Sequence, residues 1–434
     1  MRTVTLGRSL SVLVVGVMVS GCGGVTIPSD AQEVRSELAR DMAPAVGGID
    51  NLTSGTSDFG FDLYHWLAAD ADGGNVFISP YSVSLALSMA WAGAKGQTAE
   101  QMRAVLGFKD GDAETHEAFN ALDLALDTRG SEELPLNEEG DPFQLSVVNQ
   151  AWGRIGFDFL PGYLDILALN YGAGLYLLDF TNDPDGSRET INEWVEDQTN
   201  DRIVDLLPPE SISPATALVL TNAIYFKASW YKEFNPEDTV DATFNRLDGS
   251  AVTVRMMNKW DELRYVREDG WQALVAPYIG QNVAMVLVLP DAGSFTEVET
   301  LMDGAMLAGI LNSAGDAEGA VALPKFTFGF NAMLNDPLKA LGMTDAFSVG
   351  DADFSGIDGV PGNLFISLVQ HKTFVAVDEK GTEAAAATAV VMDEGTSVMD
   401  TFDVTFDRPF IFAIVDIPTR APLFLGRVMD PTAE

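Results

Sequence analysis

The sequence predicts an α+β, multi-layer fold, and three observations predict it. Helical patterning is concentrated early, in 79–96, 98–107 and 187–203. Apolar runs of strand length dominate later, from 217–226 to 421–428. From 58 to 434 the periodic signal is continuous, with no second linker and no internal repeat. One large body is therefore expected, although a stretch of this length is long for a single core.

Taken in order, residues 1–21 read as a signal peptide. Arg2 and Arg8 precede the ten-residue apolar run "LSVLVVGVMV" (10–19), which is too short to span a bilayer and suits a signal core. The run ends in "VSGC" (19–22), which resembles the bacterial lipobox, with Cys22 as the lipidated first residue of the mature chain. Cys22 is the only cysteine, so no disulfide is expected and stability must come from burial. Residues 22–57 are rich in Gly, Ser, Pro, Asp and Thr around a short helix-like piece, "AQEVRSELAR" (31–40), and read as a flexible tether.

In the body (58–434), Ser79 followed by Pro80 predicts the start of a helix over 79–96, apolar on nearly every face and hence buried. Thr98 and Gln101 stand at capping-box spacing ahead of a helix ending at Gly107. A further helix is expected over 187–203. "ALVLTNAIYF" (217–226) and "VAMVLVLP" (283–290) predict buried strands. In "VALPKFTFGF" (321–330), Phe326, Phe328 and Phe330 share one face. "LFISLVQHKTFVAVDE" (364–379) is a long strand region, and 402–416 with 421–428 reads as a hairpin of buried strands.

Charge excludes one function class. With 25 Lys+Arg against 64 Asp+Glu the formal charge is −39, and no basic stripe exists to hold a nucleic acid. Catalysis finds no support either. The three histidines, His65, His116 and His371, stand apart in sequence. No nucleophile elbow, zinc motif or phosphate-binding loop is present. "DADGG" (70–74), "DPDG" (183–186) and "GDADFSGIDG" (350–359) fall short of calcium-loop spacing and read as solvated turns. Neither a cofactor nor a metal site is expected.

The unusual stretch is "EKGTEAAAATAVV" (379–391): helix-forming by composition, yet entered from a strand and followed by a polar tip and another strand. Read as a strand, Thr382, Ala384, Ala386, Thr388 and Val390 share one face, small and uncharged, while Glu383 falls on the other. Gly381 offers a permissive hinge just before it.

Several ordered stretches together resemble the serpins. They are "NVFISPYSVSLALSMAWAGAKGQTAEQM", "INEWVEDQTNDRIVDLL", "LVLTNAIYFKASW", "VALPKFTF", "LGMTDAF", "ADFSGI", "ISLVQHKTFVAVDEKGTEAAAATAVV", "FDVTFDRPFIFAIVD" and "PLFLGRVMDP". The resemblance covers essentially all of 58–434. It implies three β-sheets, eight or nine helices, and an exposed reactive loop at about 379–402. It also implies a suicide-substrate inhibitor of a serine, sometimes cysteine, protease, or else a non-inhibitory binding or carrier relative.

Carried over by match, Glu379, Gly381, Thr382, Ala384, Ala386 and Thr388 form the loop hinge. Ser79, Ser82, Asn222 and His371 form the polar "shutter" beneath the central sheet, and Trp230 marks the "breach" where insertion begins. The family's count from Glu379 puts the cleaved bond at Gly395–Thr396. A count back from "FDRPF" (406–410) lands nearer Val398, which leaves Glu394, Val398, Met392 and Met399 as alternatives. No Arg or Lys lies between Lys380 and Arg408, so an elastase- or subtilisin-like target is expected. The region that binds heparin in some relatives falls near 108–130 and is net acidic here, so no polysaccharide activator is expected. A monomer is expected, and the lipobox-like end of the leader at Cys22 leads us to expect lipid anchoring at a bacterial cell surface or outer membrane.

Overall fold

In the computed structural model, which describes residues 28–131, 144–199, 201–382 and 400–433, the helices expected over 79–96, 98–107 and 187–203 are present, and further helices lie outside those stretches. They are α1 (Ile49–Asp70), α2 (Pro80–Trp91), α3 (Gly96–Val105), α4 (Asp112–Ser131), α5 (Pro161–Tyr171), α6 (Pro184–Gln198), α7 (Phe295–Leu301), α8 (Gly304–Ser313), α9 (Asn335–Ala340) and α10 (Ser355–Asp358). Ten helical segments among the described residues exceed the eight or nine expected. The excess lies in short pieces such as α9 and α10, of six and four residues.

Ser79 caps α2 as expected, its Oγ accepting from the Ser82 N–H at 3.1 Å. All twelve α2 residues are buried. The capping-box expectation for α3 is corrected. The helix starts at Gly96, so Thr98 and Gln101 lie inside it. Their side chains instead accept from the Asp353 N–H (3.0 Å) and from the Thr344 and Asp345 N–H groups (3.0 and 2.8 Å). They anchor a distant loop rather than their own helix.

The strands form two hydrogen-bonded sheets among the described residues. The seven-stranded sheet runs β1 (Gln32–Val34), β4 (Leu175–Leu178), β3 (Gln144–Arg154), β5 (Leu218–Ser229), β13 (Gly381–Thr382), β12 (Ile366–Val377) and β11 (Phe326–Met333). The nine-stranded sheet runs β14 (Asp400–Thr405), β10 (Gly315–Pro324), β7 (Ala251–Glu268), β8 (Trp271–Pro277), β9 (Val283–Pro290), β15 (Phe410–Asp416), β16 (Ala421–Val428) and β2 (Val76–Ile78), with β6 (Val240–Asn245) on β7. The expected count of three becomes two because β7 is 18 residues long. It pairs with β6 through its first third and with β8 through its last, joining two sheets in one strand. The C-terminal hairpin is β15–β16, whereas β14 lies apart, parallel to β10.

The expected tether is also corrected. Residues 32–34 form a strand, not part of a helix, antiparallel to β4 at the sheet edge. The arm that follows is fastened: Arg40 Nε donates to Asn120 Oδ1 (2.7 Å), and its guanidinium pairs with Asp123 (2.6 Å). Asn120 Nδ2 donates to the Asp41 carbonyl (2.7 Å). The first helix starts at Ile49, ahead of the expected boundary at 58. An isolated helix of ten residues is marginal in water, whereas an extended segment satisfies the open edge of β4.

Two strands at the centre of the seven-stranded sheet position the site. β5 and β12 are parallel and pair directly, from Leu218↔Ile366 to Ile224↔Thr373. Beyond that point they part, and β13 enters between them. Thr382 pairs with Val377 on one side and with Ala228 on the other.

Candidate functional site

The site has two parts, one at the mouth of this opening and one below it. At the mouth, the chain turns after β12, with the Lys380 N–H on Asp378 Oδ1 (2.9 Å). Trp230, which follows β5, grips the turn: its ring N–H donates to the Asp378 carbonyl (3.0 Å) and its backbone N–H to the Lys380 carbonyl (2.8 Å). The Phe234 N–H donates to the Glu379 carbonyl at 2.7 Å. Trp230 in turn stacks on Tyr278 at 4.7 Å and 7°. The Tyr278 hydroxyl meets Thr382 Oγ1 at 2.7 Å, both side chains buried.

Glu379 is the electrostatic pin. Oε2 accepts from Lys325 Nζ at 2.6 Å and Oε1 from Thr239 Oγ1 at 2.8 Å. Burial alone would raise its pKa, but the hydrogen bonds from Lys325, from its own backbone and from Thr239 outweigh this and hold it below the usual carboxylate value. Gly381 explains itself by close approach. A Cβ there would lie 2.2 Å from the Ala228 carbonyl oxygen, so only glycine fits between β5 and β12.

Below the mouth, where β5 and β12 are in contact, His371 and Asn222 face each other in register. His371 Nε2 accepts from the Ser79 N–H (3.1 Å), so the ring proton sits on Nδ1 and is donated to Asn222 Oδ1. Asn222 Nδ2 donates to Ser82 Oγ and to Asn149 Oδ1, both at 2.6 Å. Ser79 Oγ donates to the Leu423 carbonyl at 2.7 Å. Burial lowers the His371 pKa to about 3, so the ring is neutral at ordinary pH. The cluster therefore ties both central strands to the N-terminus of α2. Parting the strands breaks the bond between His371 and Asn222, both fully buried, where an unmade hydrogen bond is expensive.

Of the residues expected from sequence, the structure brings Ser79, Ser82, Asn222 and His371 into one cluster, and Trp230, Glu379, Gly381 and Thr382 into another. Ala384, Ala386 and Thr388 lie outside the described residues. So do the bond candidates Met392, Glu394, Gly395, Thr396, Val398 and Met399, and so does Cys22. Sequence reasoning missed Lys325, Thr239, Tyr278 and Asn149. Asn149 left a faint signal, a polar residue inside the apolar strand "LSVVNQAWG" (145–153); the others left none, because their roles depend on partners far along the chain. His65 and His116 lie apart from both clusters. His65 Nε2 meets the Glu299 carbonyl at 3.0 Å, and His116 is buried against the Tyr171 hydroxyl at 2.5 Å.

The body thus combines mixed sheets with two central strands that part around the residues following β12 and are joined by a buried polar cluster. The family model for serpins (serine protease inhibitors) matches residues 54–431, and the chain belongs to that family. It is 39% identical over 408 residues to an uncharacterized serpin-like protein of Thermococcus kodakarensis, covering 94% of this chain and 90% of that one. It is 36% identical over 392 residues to the leukocyte elastase inhibitor of Bos taurus, covering 88% and 100%. Among solved structures, native tengpin, a thermophilic serpin, superposes with a TM-score of 0.76 at 29% identity, covering 92% of this chain and 100% of that one.

Proposed function

We propose that this protein is a suicide-substrate inhibitor of a serine protease. The protease serine attacks the carbonyl carbon of the loop's scissile residue, within 392–399, with Gly395 as first choice. The peptide bond breaks, the amine side stays with β14, and the loop's new C-terminus remains esterified to the protease. The freed loop then continues the path that β13 has begun, sliding between β5 and β12.

The observation that carries this reading is the seating of Gly381 and Thr382 between those two strands. The small residues that follow in sequence, Ala384, Ala386 and Thr388, suit the narrow slot beyond. Ten to twelve residues gaining ladder hydrogen bonds at about 0.5–1.5 kcal/mol each supply on the order of 10 kcal/mol before ordering entropy. Fourteen residues of strand, Thr382 to Gly395, span roughly 45 Å. The acylated protease is thus dragged toward the far pole, where distortion of its oxyanion hole stalls hydrolysis of the ester.

The absence of Arg and Lys from the loop between Lys380 and Arg408 favours an elastase- or subtilisin-like target. The leader and Cys22 support lipid anchoring at a bacterial surface, with the inhibitor acting as a monomer. The two cations within 108–130 are engaged, Lys109 with Ser54 and Asp58, and Arg129 with Asp416, which supports action without a polysaccharide activator.

Incubation with elastase- and subtilisin-type proteases tests the reading. An SDS-stable adduct is expected, with mass spectrometry of the released C-terminal peptide fixing the cleaved bond. Clean cleavage with no adduct from any of them overturns it in favour of a non-inhibitory binding protein.

A further inference from the structure

Beside the strand that receives the reactive loop's C-terminal end lies a groove that the inhibitory reading does not use. The pairing registers place Trp260, Ala320 and Asp403 side by side on β7, β10 and β14, and Asn258, Ala322 and Thr405 two residues further along. Alternation puts both rows on one face. Alanines on the central strand make the floor low, while Trp260 and Asp403 stand as walls. The turn Pro236–Asp238 and Val240 close the end, the turn being held by Asn258 Nδ2 donating to the Asp238 carbonyl at 3.0 Å. The resulting cavity is about 490 Å³.

Trp260 is 67% exposed, the one exposed tryptophan of seven. Four further carboxylates ring it together with Asp403. Glu237 and Asp238 stand at the closed end; Glu262 and Glu318 are paired across β7 and β10 toward the loop. Their side chains make no hydrogen bond or ion pair among the described residues. The nearby cations are committed elsewhere: Lys259 to Asp261 (2.7 Å) and the Phe234 ring, Lys232 to Asp261, and Arg255 to Asp241.

We propose that this groove is a second docking site for the target protease, receiving a lysine or arginine side chain from its surface. The aliphatic stem lies on the alanine floor, and the cation sits between the face of Trp260 and the carboxylate of Asp403. An indole face and a carboxylate both attract a cation. An anionic or purely apolar partner is repelled or unsatisfied by the carboxylate ring. Position supports the same occupant. Asp403 follows the bond candidates Gly395 and Val398 by eight and five residues, at most roughly 27 and 17 Å of extended chain. A protease seated on the loop therefore overhangs the groove. The proposal rests on the inhibitory reading and adds to it a determinant of rate and partner choice.

The test uses the protease that forms an adduct in the assay above and follows adduct formation by stopped-time SDS gels at low and high salt. Trp260→Ala and Asp403→Asn each lower the association rate constant roughly tenfold at low salt, the range that charge steering commands. Asp403→Asn reduces the salt dependence, whereas Trp260→Ala, which removes no charge, leaves it. Both side chains are on the surface, and circular dichroism with thermal melting checks that the variants fold. Wild-type rates for both variants at both salt concentrations overturn the docking groove while leaving inhibition standing. Absence of any wild-type adduct overturns the inhibitory reading itself.

Discussion

Lys325 and Glu379 show how much one pair can govern. Their contact at 2.6 Å is half-open to solvent on the lysine side, so Lys325→Ala is expected to weaken the closed mouth by about 1 kcal/mol. Faster deuterium exchange at 379–382 checks this. Because the Glu379 pKa is depressed below 4.5 in the fold, its contribution is present above that value and is lost as pH falls through the lower folded one. Glu379→Gln should therefore flatten the acid limb of hinge protection. His371 acts in the same sense for a different reason, burial rather than hydrogen bonding. It is buried neutral with a pKa of about 3 against 6.5 unfolded, so the unfolded chain binds its proton first. Apparent melting temperature should fall as pH drops from about 6.5 toward 3, and less steeply in His371→Gln, where the titrating group is gone. A slope at pH 4–6 unchanged by that substitution contradicts the assignment.

At the scale of elements, β13 is two residues long yet settles what its neighbours do. Thr382 lies buried against Tyr278, so Thr382→Arg places a long cation where the slot admits a hydroxyl. That variant is expected to be cleaved by the target protease without forming an adduct; full inhibition by it contradicts insertion. The N-terminal strand β1 is the other short element of consequence. Deleting residues 23–41 removes the edge pairing and the Arg40–Asp123 and Arg40–Asn120 contacts, which should lower the melting temperature by several degrees. Sequence could not foresee this strand. Three residues of unexceptional composition become a strand only because β4 offers them an unpaired edge. In contrast, β5, β9 and α2 were legible from sequence, since their residues are buried almost without exception and their apolar runs have the lengths of strand and helix.

For the whole molecule, the contact between β5 and β12 is the quantity that matters. Under the proposed mechanism these strands stay paired below β13 until the loop is cleaved, and the persistence of the native state is kinetic. Loop-cleaved protein is accordingly expected to melt well above the intact form, measured by calorimetry in the same buffer; equal melting temperatures would remove the basis of the proposed mechanism. The serpin architecture was visible in sequence through ordered motifs, and the alanine-rich segment already carried the small side chains that a slot between strands requires. Gly381 at the entry to that segment, and the polar residues Ser79, Ser82, Asn222 and His371, could be singled out from the sequence through the family resemblance. Which partners they would find was decided only by tertiary structure. Glu379 needed Lys325 and Thr239, Thr382 needed Tyr278, and Trp260 needed two alanines and an aspartate from other strands. Composition and period are local and survive in a linear string, whereas electrostatic pairs and grooves form between segments that only the folded sheet registers bring within a few ångströms.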